Sequence, residues 1–400
     1  MLSAVAVSHL LNDTIQALIP AIYPLLKSAF ALTFAQVGLM TLTQQVTASL
    51  LQPVVGYYTD RRPTPYSLVV GMTFTMIGLL VLAGAPTFPV LLAAAGLMGI
   101  GSSVFHPEAS RVARMASGGR YGLAQSLFQV GGNVGSAFGP LLGAFLVAPR
   151  GQASIAWAAL LAVAAIVIMW YIGRWYAAEQ PALAWMSARS GAALRTDIVD
   201  RPVARPIAIL AALIFSKYFY LAGLNSYYTF FLISKFGVSV QTAQIDLFVF
   251  LAAVAVGTIA GGPIADRIGV KYVIWISILG VLPFTLALPY ANLFWTPLLT
   301  IAIGLVLASA FSAIVVYAQE LVPGRVGLIS GLFFGFAFGV AGIGAAMLGA
   351  LADRTSIELV YRICSYLPLM GLLAACLPDI ERPPRIHGVS GIVVSGAQAR

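Results

Sequence analysis

Charged side chains are scarce in this sequence. Asp, Glu, Lys and Arg make up 9% of its 400 residues, whereas soluble domains carry about a quarter. Apolar residues make up 60%, and the mean hydropathy is +0.94. This balance excludes an ordinary soluble domain, a disordered chain and a coiled coil. It predicts an all-α membrane protein that crosses the bilayer many times.

Cysteines and enzyme motifs are also lacking. Cys364 and Cys376, the two cysteines, lie in an apolar stretch and have the spacing of neither metal ligands nor a disulfide framework. The sequence has no HExxH, GxxxxGKS/T or GxSxG motif. We therefore predict that the protein is not an enzyme and that it holds no metal and no cofactor. Without a nucleotide-binding site, any energy-requiring work of this membrane protein would be driven by an ion gradient.

Twelve apolar stretches are long enough to be membrane helices, since a core of roughly 30 Å needs about 20 helical residues. They run approximately over residues 3–26, 35–57, 66–86, 89–110, 121–147, 153–175, 206–232, 239–263, 272–290, 295–318, 326–351 and 358–377. The longest polar gap follows the sixth stretch. We predict an N-terminal six-helix bundle (1–175), a cytoplasmic linker (176–205), a C-terminal six-helix bundle (206–377) and a cytoplasmic tail (378–400).

The basic residues are distributed unevenly along this pattern. If the N-terminus is cytoplasmic, the even-numbered gaps and both tails hold sixteen of the 22 Lys and Arg residues, and the opposite side holds five. The bias predicts that both termini lie in the cytoplasm. The formal net charge of +9 then sets topology and contacts anionic lipids, so we expect lipids and not nucleic acid as partners.

The two predicted halves repeat each other. At an offset of 205, identical residues recur after the fourth and tenth stretches: Gly119, Arg120, Gly122, Leu123, Leu127, Phe128 and Gly139 match Gly324, Arg325, Gly327, Leu328, Leu332, Phe333 and Gly344. At an offset of 206, Gly56, Asp60 and Arg61 match Gly262, Asp266 and Arg267. Parallel six-helix halves with a shared site near the bilayer midplane are typical of secondary transporters.

Two loop segments resemble a family signature. GYYTDRR (56–62) and GGPIADRIGVK (261–271) look like the two copies of the loop signature of the major facilitator superfamily. The resemblance implies a conformational latch formed by Gly56, Asp60, Arg61, Gly262, Asp266 and Arg267. The first copy departs from the pattern, because Pro63, Thr64 and Pro65 replace its later Gly and basic positions. Its latch is therefore expected to be weaker.

A glycine-rich segment narrows the resemblance. GNVGSAFGPLLG (132–143) resembles the fifth-helix signature of antiporters in that superfamily, in which Gly135, Gly139, Pro140 and Gly143 serve close helix packing. With SHLLNDTIQALIPAIYPLL (8–26) and GSSVFHPEASRVARMASGGRYGLAQSLFQVGGN (101–133), the chain is similar to the fosmidomycin-resistance family of drug exporters. These exporters usually carry a cytoplasmic leader, whereas Met1 directly precedes the first stretch here, which is compatible with a truncated or a re-annotated start.

The resemblance implies a function and a location. We expect the major facilitator superfamily fold and proton-coupled antiport that exports a small anionic drug such as fosmidomycin. The protein would be a monomer in the bacterial inner membrane. A proton symporter that imports an organic anion or phosphate ester is the alternative, since it would use the same residues. An integral-membrane transferase is a further rival, against which the internal duplication argues.

The first stretch carries a polar face. His9, Asp13 and Gln16 recur at helical spacing on it. A charged side chain at a helix centre costs roughly 2.5 to 3.5 kcal/mol, so those that persist usually face a cavity or a partner. We predict Asp13 as a proton carrier, with His9 and Gln16 as neighbours that contact the substrate. A fixed ion pair is the alternative.

HPEASR, from His106 to Arg111, is the second unusual segment. We predict that His106 binds substrate and that Glu108 takes part in proton coupling, since an imidazole titrates near neutrality. The alternative is a structural network with Arg111 and Arg114. Hydropathy does not decide whether the helix stops here or continues towards Ser117, and the family resemblance favours continuation.

Lys217 is the one Lys or Arg that lies well within a predicted span, away from its ends. It shares a helix face with Tyr220 and Tyr228, and an anion in a low-dielectric cavity needs a cation. We predict that these three residues bind substrate; the alternative is an internal pair between Lys217 and Asp13. Gln45, Gln129 and Asn133 lie on polar faces of the second and fifth stretches and are further substrate candidates, although interhelical hydrogen bonds explain such faces equally well.

Overall fold

The protein folds into helices. The structure, a computed structural model, describes residues 1–62, 64–117, 121–190, 203–322 and 326–378. Within these ranges the chain forms helices joined by short turns, without strands. The predicted all-α fold with twelve membrane helices is confirmed. Residues 191–202 of the predicted linker and 379–400 of the predicted tail lie outside the described ranges.

Several of the twelve helices consist of two or three consecutive pieces. They are α1 (Leu2–Ala21 and Tyr23–Phe30), α2 (Phe34–Arg61), α3 (Ser67–Ala83), α4 (Phe88–Met115), α5 (Tyr121–Leu142, a π-helical turn Gly143–Val147 and Ala148–Arg150), α6 (Gln152–Ala158 and Ala159–Ser190), α7 (Ala204–Phe236), α8 (Val240–Ile268), α9 (Val270–Leu279, Leu282–Ala287 and Leu288–Tyr290), α10 (Trp295–Ala308 and Ala310–Leu321), α11 (Val326–Arg354) and α12 (Ile357–Cys364 and Leu367–Cys376).

Most of these helices suit a bilayer by length and composition. Ten helical stretches of the described chain are long and apolar enough to cross a membrane. Helix α3 is apolar but has 17 residues. Helix α2 has 28 residues but carries four glutamines, which lower its hydropathy. Helix α2 is thus polar enough to lie beside a water-filled cleft.

Two helices are longer than the hydropathy pattern predicts. Helix α4 continues to Met115, so His106 and Glu108 lie within it and not at its end. Pro107 is accommodated inside the helix, where its ring removes one backbone hydrogen bond. Helix α6 continues to Ser190 and so extends into the predicted linker. The length of the apolar stretch could not predict these helix ends, because both extensions are helical although they contain polar residues.

The helix contacts repeat after six helices. In the first half α1 packs on α5, α2 on α4 and α3 on α6, and in the second half α7 packs on α11, α8 on α10 and α9 on α12. Between the halves, α2 packs on α11 and α5 on α8. The two contacts are equivalent in the repeat, because α8 corresponds to α2 and α11 corresponds to α5. The duplication seen in the sequence is therefore also a duplication of packing.

Helices α1 and α5 pack especially closely. A Cβ atom added at Gly135 would overlap the carbonyl oxygen of Leu10, and one added at Gly139 would overlap Ala17. Both glycines belong to α5 and face α1. Small residues let helix backbones approach in this way in membranes, where no hydrophobic effect drives helices together.

The two halves meet at one face of the molecule and separate towards the other. We call the face at which α1 begins and α12 ends the terminal face. A Cβ at Gly349 of α11 would overlap the carbonyl oxygen of Phe34 in α2, and one at Gly342 would lie 3.1 Å from Cβ of Gln45. Nearer the terminal face, added Cβ atoms at Gly339 and Gly335 would have no neighbour within 4 Å. The cleft between the halves therefore opens at the terminal face.

Candidate functional site

His9 and Asp13 lie within ion-pairing distance of each other on α1. Nε2 of His9 lies 3.3 Å from Oδ2 of Asp13, one helical turn away. On its other side, Nδ1 of His9 lies 2.7 Å from the carbonyl oxygen of Phe128 in α5. The amide of Asn12 donates to Oδ1 of Asp13 at 2.9 Å. The His9 side chain is 4% exposed and that of Asp13 18% exposed, so the carboxylate is the part that remains accessible.

His106 of α4 completes a cluster with this pair. Its ring lies 5.3 Å from the His9 ring, centroid to centroid. One side-chain nitrogen or oxygen atom from each of His9, Asp13 and His106 lies within 4.8 Å of the other two, a spacing that suits the ligands of a small cation. Phe338 of α11 approaches the His106 ring with a centroid distance of 6.1 Å. The cluster therefore lies where α4 faces the other half of the molecule.

Amide side chains extend the polar lining of the first half. Gln44 of α2 donates to Gln16 of α1 at 2.6 Å, and Gln16 donates to the carbonyl oxygen of Met98 in α4 at 3.2 Å. Three further amides are partly exposed and have no side-chain hydrogen bond in the part of the chain that the structure describes: Gln45, Gln129 and Asn133. These are free to bond a ligand or water.

Glu108 lies on a different side of α4 from His106. Residues two positions apart do not share a helix face. The Glu108 side chain is 1% exposed, accepts a hydrogen bond of 3.1 Å from Ser67 of α3, and pairs with Arg111 at 3.7 Å. Arg111 also donates to the carbonyl oxygen of Thr59 in α2 at 2.6 Å. Glu108 thus joins three helices instead of lining the cleft with His106.

Lys217 is buried in the second half. Its residue is 4% exposed, and Nζ donates to the carbonyl oxygen of Ala308 at 3.3 Å. This oxygen lies at the break between the two pieces of α10. The rings of Tyr218 and Phe311 lie 5.6 Å and 5.8 Å from Nζ. Among the described residues no carboxylate pairs with Lys217, so the alternative pair with Asp13 is not formed in this state.

Tyr220 and Tyr228 are packed within the second half. The hydroxyl of Tyr228 lies 3.3 Å from the Thr300 hydroxyl of α10. Tyr220 borders a small void beside Tyr361 and Cys364 of α12, and its buried hydroxyl has no partner within the described chain. Neither tyrosine contacts Lys217 through a hydrogen bond, although all three are spaced along one stripe of α7.

The residues of the two sequence signatures are described only in part. The side chains of Asp60, Arg61 and Asp266, together with Gly262, lie outside the described residues. Arg267 is exposed, and the space around Gly56 is open. In α5, Pro140 precedes the π-helical turn, and a Cβ at Gly143 would lie 3.0 Å from the amide nitrogen of Gln244 in α8.

Three contributors to the site were not predicted from the sequence. The Phe128 carbonyl bonds His9, Phe338 approaches His106, and Gly132 leaves room for the His9 ring. A backbone carbonyl carries no residue-type signal. Gly132 is the first glycine of the α5 signature. Its spacing of four from Phe128 indicates that both residues lie on one face of α5, and this is the sequence signal that could have pointed to their shared role.

Comparisons with known proteins agree with this architecture. A family model described as Major Facilitator Superfamily matches residues 5–248 and 210–391. The chain is 61% identical over 379 residues to the Fosmidomycin resistance protein of Escherichia coli (strain K12), a match that covers 95% of this chain and 93% of that protein. It is 43% identical over 387 residues to the uncharacterized MFS-type transporter YfnC of Bacillus subtilis (strain 168), covering 97% and 95%.

Solved structures share the fold. A bacterial homologue of the human lysosomal transporter Spinster, in an inward-facing and occupied conformation, superposes with a TM-score of 0.75 at 15% identity and covers 94% of this chain and 95% of that one. A variant of the nucleoside transporter NupG gives 0.74 at 14% identity, covering 94% and 99%. The chain belongs to the fosmidomycin-resistance family of the major facilitator superfamily. It is a multi-pass membrane transporter and not an enzyme.

Proposed function

We propose that this transporter exports a small anionic antibiotic such as fosmidomycin by proton antiport and alternating access. The observation that carries the proposal is the cluster of His9, Asp13 and His106 beside a cleft between two repeated halves. Such a cluster offers a protonatable site next to a ligand-sized opening. The relative named for fosmidomycin resistance supports the choice of drug and the direction of transport.

The orientation follows from the basic residues. Sixteen Lys and Arg residues lie on the side of the termini and five on the other, which supports a cytoplasmic location of the terminal face. With this orientation, in the bacterial inner membrane, the open cleft faces the cytoplasm. The structure then corresponds to the state that receives drug from inside the cell. We propose that it works as a monomer surrounded by lipid.

The drug anion is proposed to bind between Lys217 and the polar lining of the first half. An anion that leaves water needs a cation and hydrogen-bond donors to offset its lost hydration. Within the described residues Lys217 has one acceptor, the Ala308 carbonyl, which leaves two of its three ammonium hydrogens for a ligand. His106 and four amides can contribute from the facing half: Gln16, Gln45, Gln129 and Asn133.

Two tyrosines of α7 belong to the same proposal. Tyr220 and Tyr228 are buried in this state. We propose that they reach the drug only when α7 moves during transport. The Tyr220 hydroxyl supports this, because it has no hydrogen-bond partner among the described residues, and a buried hydroxyl without a hydrogen bond is costly and favours a state that gives it one.

Coupling is assigned to Asp13. Antiport requires that the proton and the drug do not occupy the site together. Their opposite charges would instead favour binding of both. The drug must therefore displace the proton by direct contact with the atom that holds it. A hydrogen-bond donor of the drug that reaches Oδ2 of Asp13 would take the place of the proton. One exchanged charge that crosses 100 mV supplies about 2.3 kcal/mol, which sustains roughly fiftyfold accumulation.

Glu108 is proposed as a second coupling residue that acts on conformation without touching the drug. It reaches Thr59 at the end of α2 through Arg111. The proposed latch residues lie in the last two turns of α2 and α8: Gly56, Asp60, Arg61, Gly262, Asp266 and Arg267. A change of charge at Glu108 would therefore alter the contacts at the end of α2, where the two halves are proposed to close on the cytoplasmic side.

The test is proton release from purified protein in detergent with little buffer, on addition of fosmidomycin adjusted to the same pH. We expect acidification in the wild type and none in Asp13→Asn. Glu108→Gln is expected to release protons on binding but to transport slowly in vesicles. If the wild type binds the drug and takes up protons, antiport is wrong and the importing symporter is favoured.

A further inference from the structure

The hydrogen bonds of His9 determine where its proton lies. Its Nδ1 is 2.7 Å from the carbonyl oxygen of Phe128. A carbonyl only accepts hydrogen bonds, so Nδ1 must carry a hydrogen. Nε2 then faces Oδ2 of Asp13 at 3.3 Å. If Nε2 and the carboxylate were both unprotonated, two lone pairs would face each other. The contact is favourable only when one proton lies on one of the two atoms.

The surroundings leave this proton without a competing basic residue. Asn12 donates to the other oxygen of Asp13. From α4, His106 is the one titratable group that faces the pair, and from α5 the Phe128 carbonyl and Gly132 approach it. Asp13 forms no ion pair with a Lys or Arg of the described chain. The pair is therefore a local proton site, and the imidazole of His106 is its titratable neighbour among the described residues.

Gly132 makes the geometry possible. A Cβ atom there would overlap Cε1 and Nε2 of His9 and come within 2.9 Å of Oδ2 of Asp13. Phe128 lies one helical turn before Gly132, so the same face of α5 supplies both the carbonyl that holds Nδ1 and the space for the ring. The atoms that a Cβ would meet belong to side chains, which can rotate away. A substitution here should move the ring without displacing the helix.

We propose that the coupling proton is held jointly by Nε2 of His9 and Oδ2 of Asp13, and that Gly132 is the positioning residue that lets the two atoms meet. This inference rests on the proposed antiport. It gives the first glycine of the α5 signature a role in proton binding in addition to helix packing. When the drug arrives, the shared proton leaves to water, and the carboxylate turns to the donor on the drug.

The experiment compares Gly132→Ala with Gly131→Ala. A Cβ at Gly131 would overlap the backbone oxygen of Ala6, so this control disturbs the same helix pair without touching His9 or Asp13. Proton release on fosmidomycin addition is followed against pH, with EDTA present and drug binding measured in parallel. In Gly132→Ala and in His9→Gln we expect proton affinity to fall about tenfold, which moves the midpoint about one pH unit towards acid. Gly131→Ala should keep the wild-type midpoint.

A spectroscopic measurement keeps the test independent of variant folding. The nitrogen NMR signals of His9 in labelled wild-type protein are identified by their loss in His9→Gln. We expect both ring nitrogens to carry hydrogen below the midpoint without drug, and Nε2 to lose its hydrogen when fosmidomycin binds. A His9 signal that ignores the drug would overturn the inference.

The outcomes separate this inference from the proposed function. If the wild type releases no proton, antiport itself fails. If Asp13→Asn abolishes release while His9→Gln and Gly132→Ala keep the wild-type midpoint, Asp13 acts alone and only the inference fails. If EDTA removes the wild-type signal, the pair holds a metal cation and the shared proton is excluded.

Discussion

The carboxylate of Asp353 accepts a hydrogen bond of 2.7 Å from the backbone N–H of Phe34 and one of 2.8 Å from that of Ala35. Phe34 is the first residue of α2, and Asp353 lies in the last turn of α11. The first N–H groups of a helix lack partners within the helix, and the helix dipole attracts negative charge there. One carboxylate therefore joins the two halves on the closed face.

Neutralising this carboxylate should favour opening of the closed face. In Asp353→Asn the lost interaction with the helix terminus is worth about 1 kcal/mol, so the population with this face open should rise about fivefold. The measurement is the distance distribution between spin labels at Ser28 and Tyr290, which lie on this face in opposite halves. Glu358→Gln is the matched control, because Glu358 bonds Ser234 within one half. An unchanged distribution in Asp353→Asn would contradict the role given to the contact.

Tyr227 supports the same face. Its hydroxyl donates to the carbonyl oxygen of Ala345 at 2.6 Å and lies 3.2 Å from that of Phe34. Tyr227→Phe should shift the same spin-label distances in the same direction, because it removes the bond to Phe34 in the other half. The shift should be smaller than in Asp353→Asn, since the one hydroxyl hydrogen is shared with Ala345 of the same half and a whole buried hydrogen bond contributes about 1 kcal/mol. Tyr361→Phe removes a hydroxyl that bonds Gly223 within the second half and should leave the distances unchanged. Equal shifts in both variants would show a loss of general stability instead.

Lys217 should matter for the drug and not for folding. Its charge is buried with one backbone acceptor, and replacing a poorly compensated buried charge by an apolar group is often neutral or stabilising. Lys217→Met should therefore melt at or above the wild-type temperature and bind fosmidomycin at least about tenfold more weakly. Thermal melting with and without drug measures both quantities, because a ligand that binds the native state raises the melting temperature.

The control for this variant is Lys235→Gln. Lys235 also donates to backbone carbonyls, those of Pro289 and Ala291, but it lies at the end of α7 on the closed face. Its replacement changes the net charge equally and should leave the drug-induced melting shift intact. If Lys217→Met keeps that shift as well, the drug does not bind at Lys217.

The fold and part of the site could be predicted because their signals are periodic. Apolar length predicts the helices, and a spacing of four on one helix brings His9 to Asp13. The partners of His9 on other helices could not be predicted this way. Every residue has a backbone carbonyl, so the residue type gives no sign that the carbonyl of Phe128 accepts this hydrogen bond.

The neighbouring residues His106 and Glu108 show a second limit. They are two positions apart in one short motif that predicts a shared site, yet they lie on different sides of α4 with different partners. A spacing of two on a helix places them on different faces, and the position of α4 relative to α2 and α3 decides which face borders the cleft. Hydropathy carries no information about that position, since both residues are polar and both are compatible with a buried network or a cleft.

The central claim is that drug and proton move in opposite directions. It is tested most directly in proteoliposomes loaded with fosmidomycin and diluted into drug-free medium at equal pH on both sides, with a proton-sensitive dye inside. Antiport predicts that drug efflux drives protons inward and acidifies the lumen in the wild type but not in Asp13→Asn. Alkalinisation of the lumen during drug efflux would show that the two move together and would contradict the account.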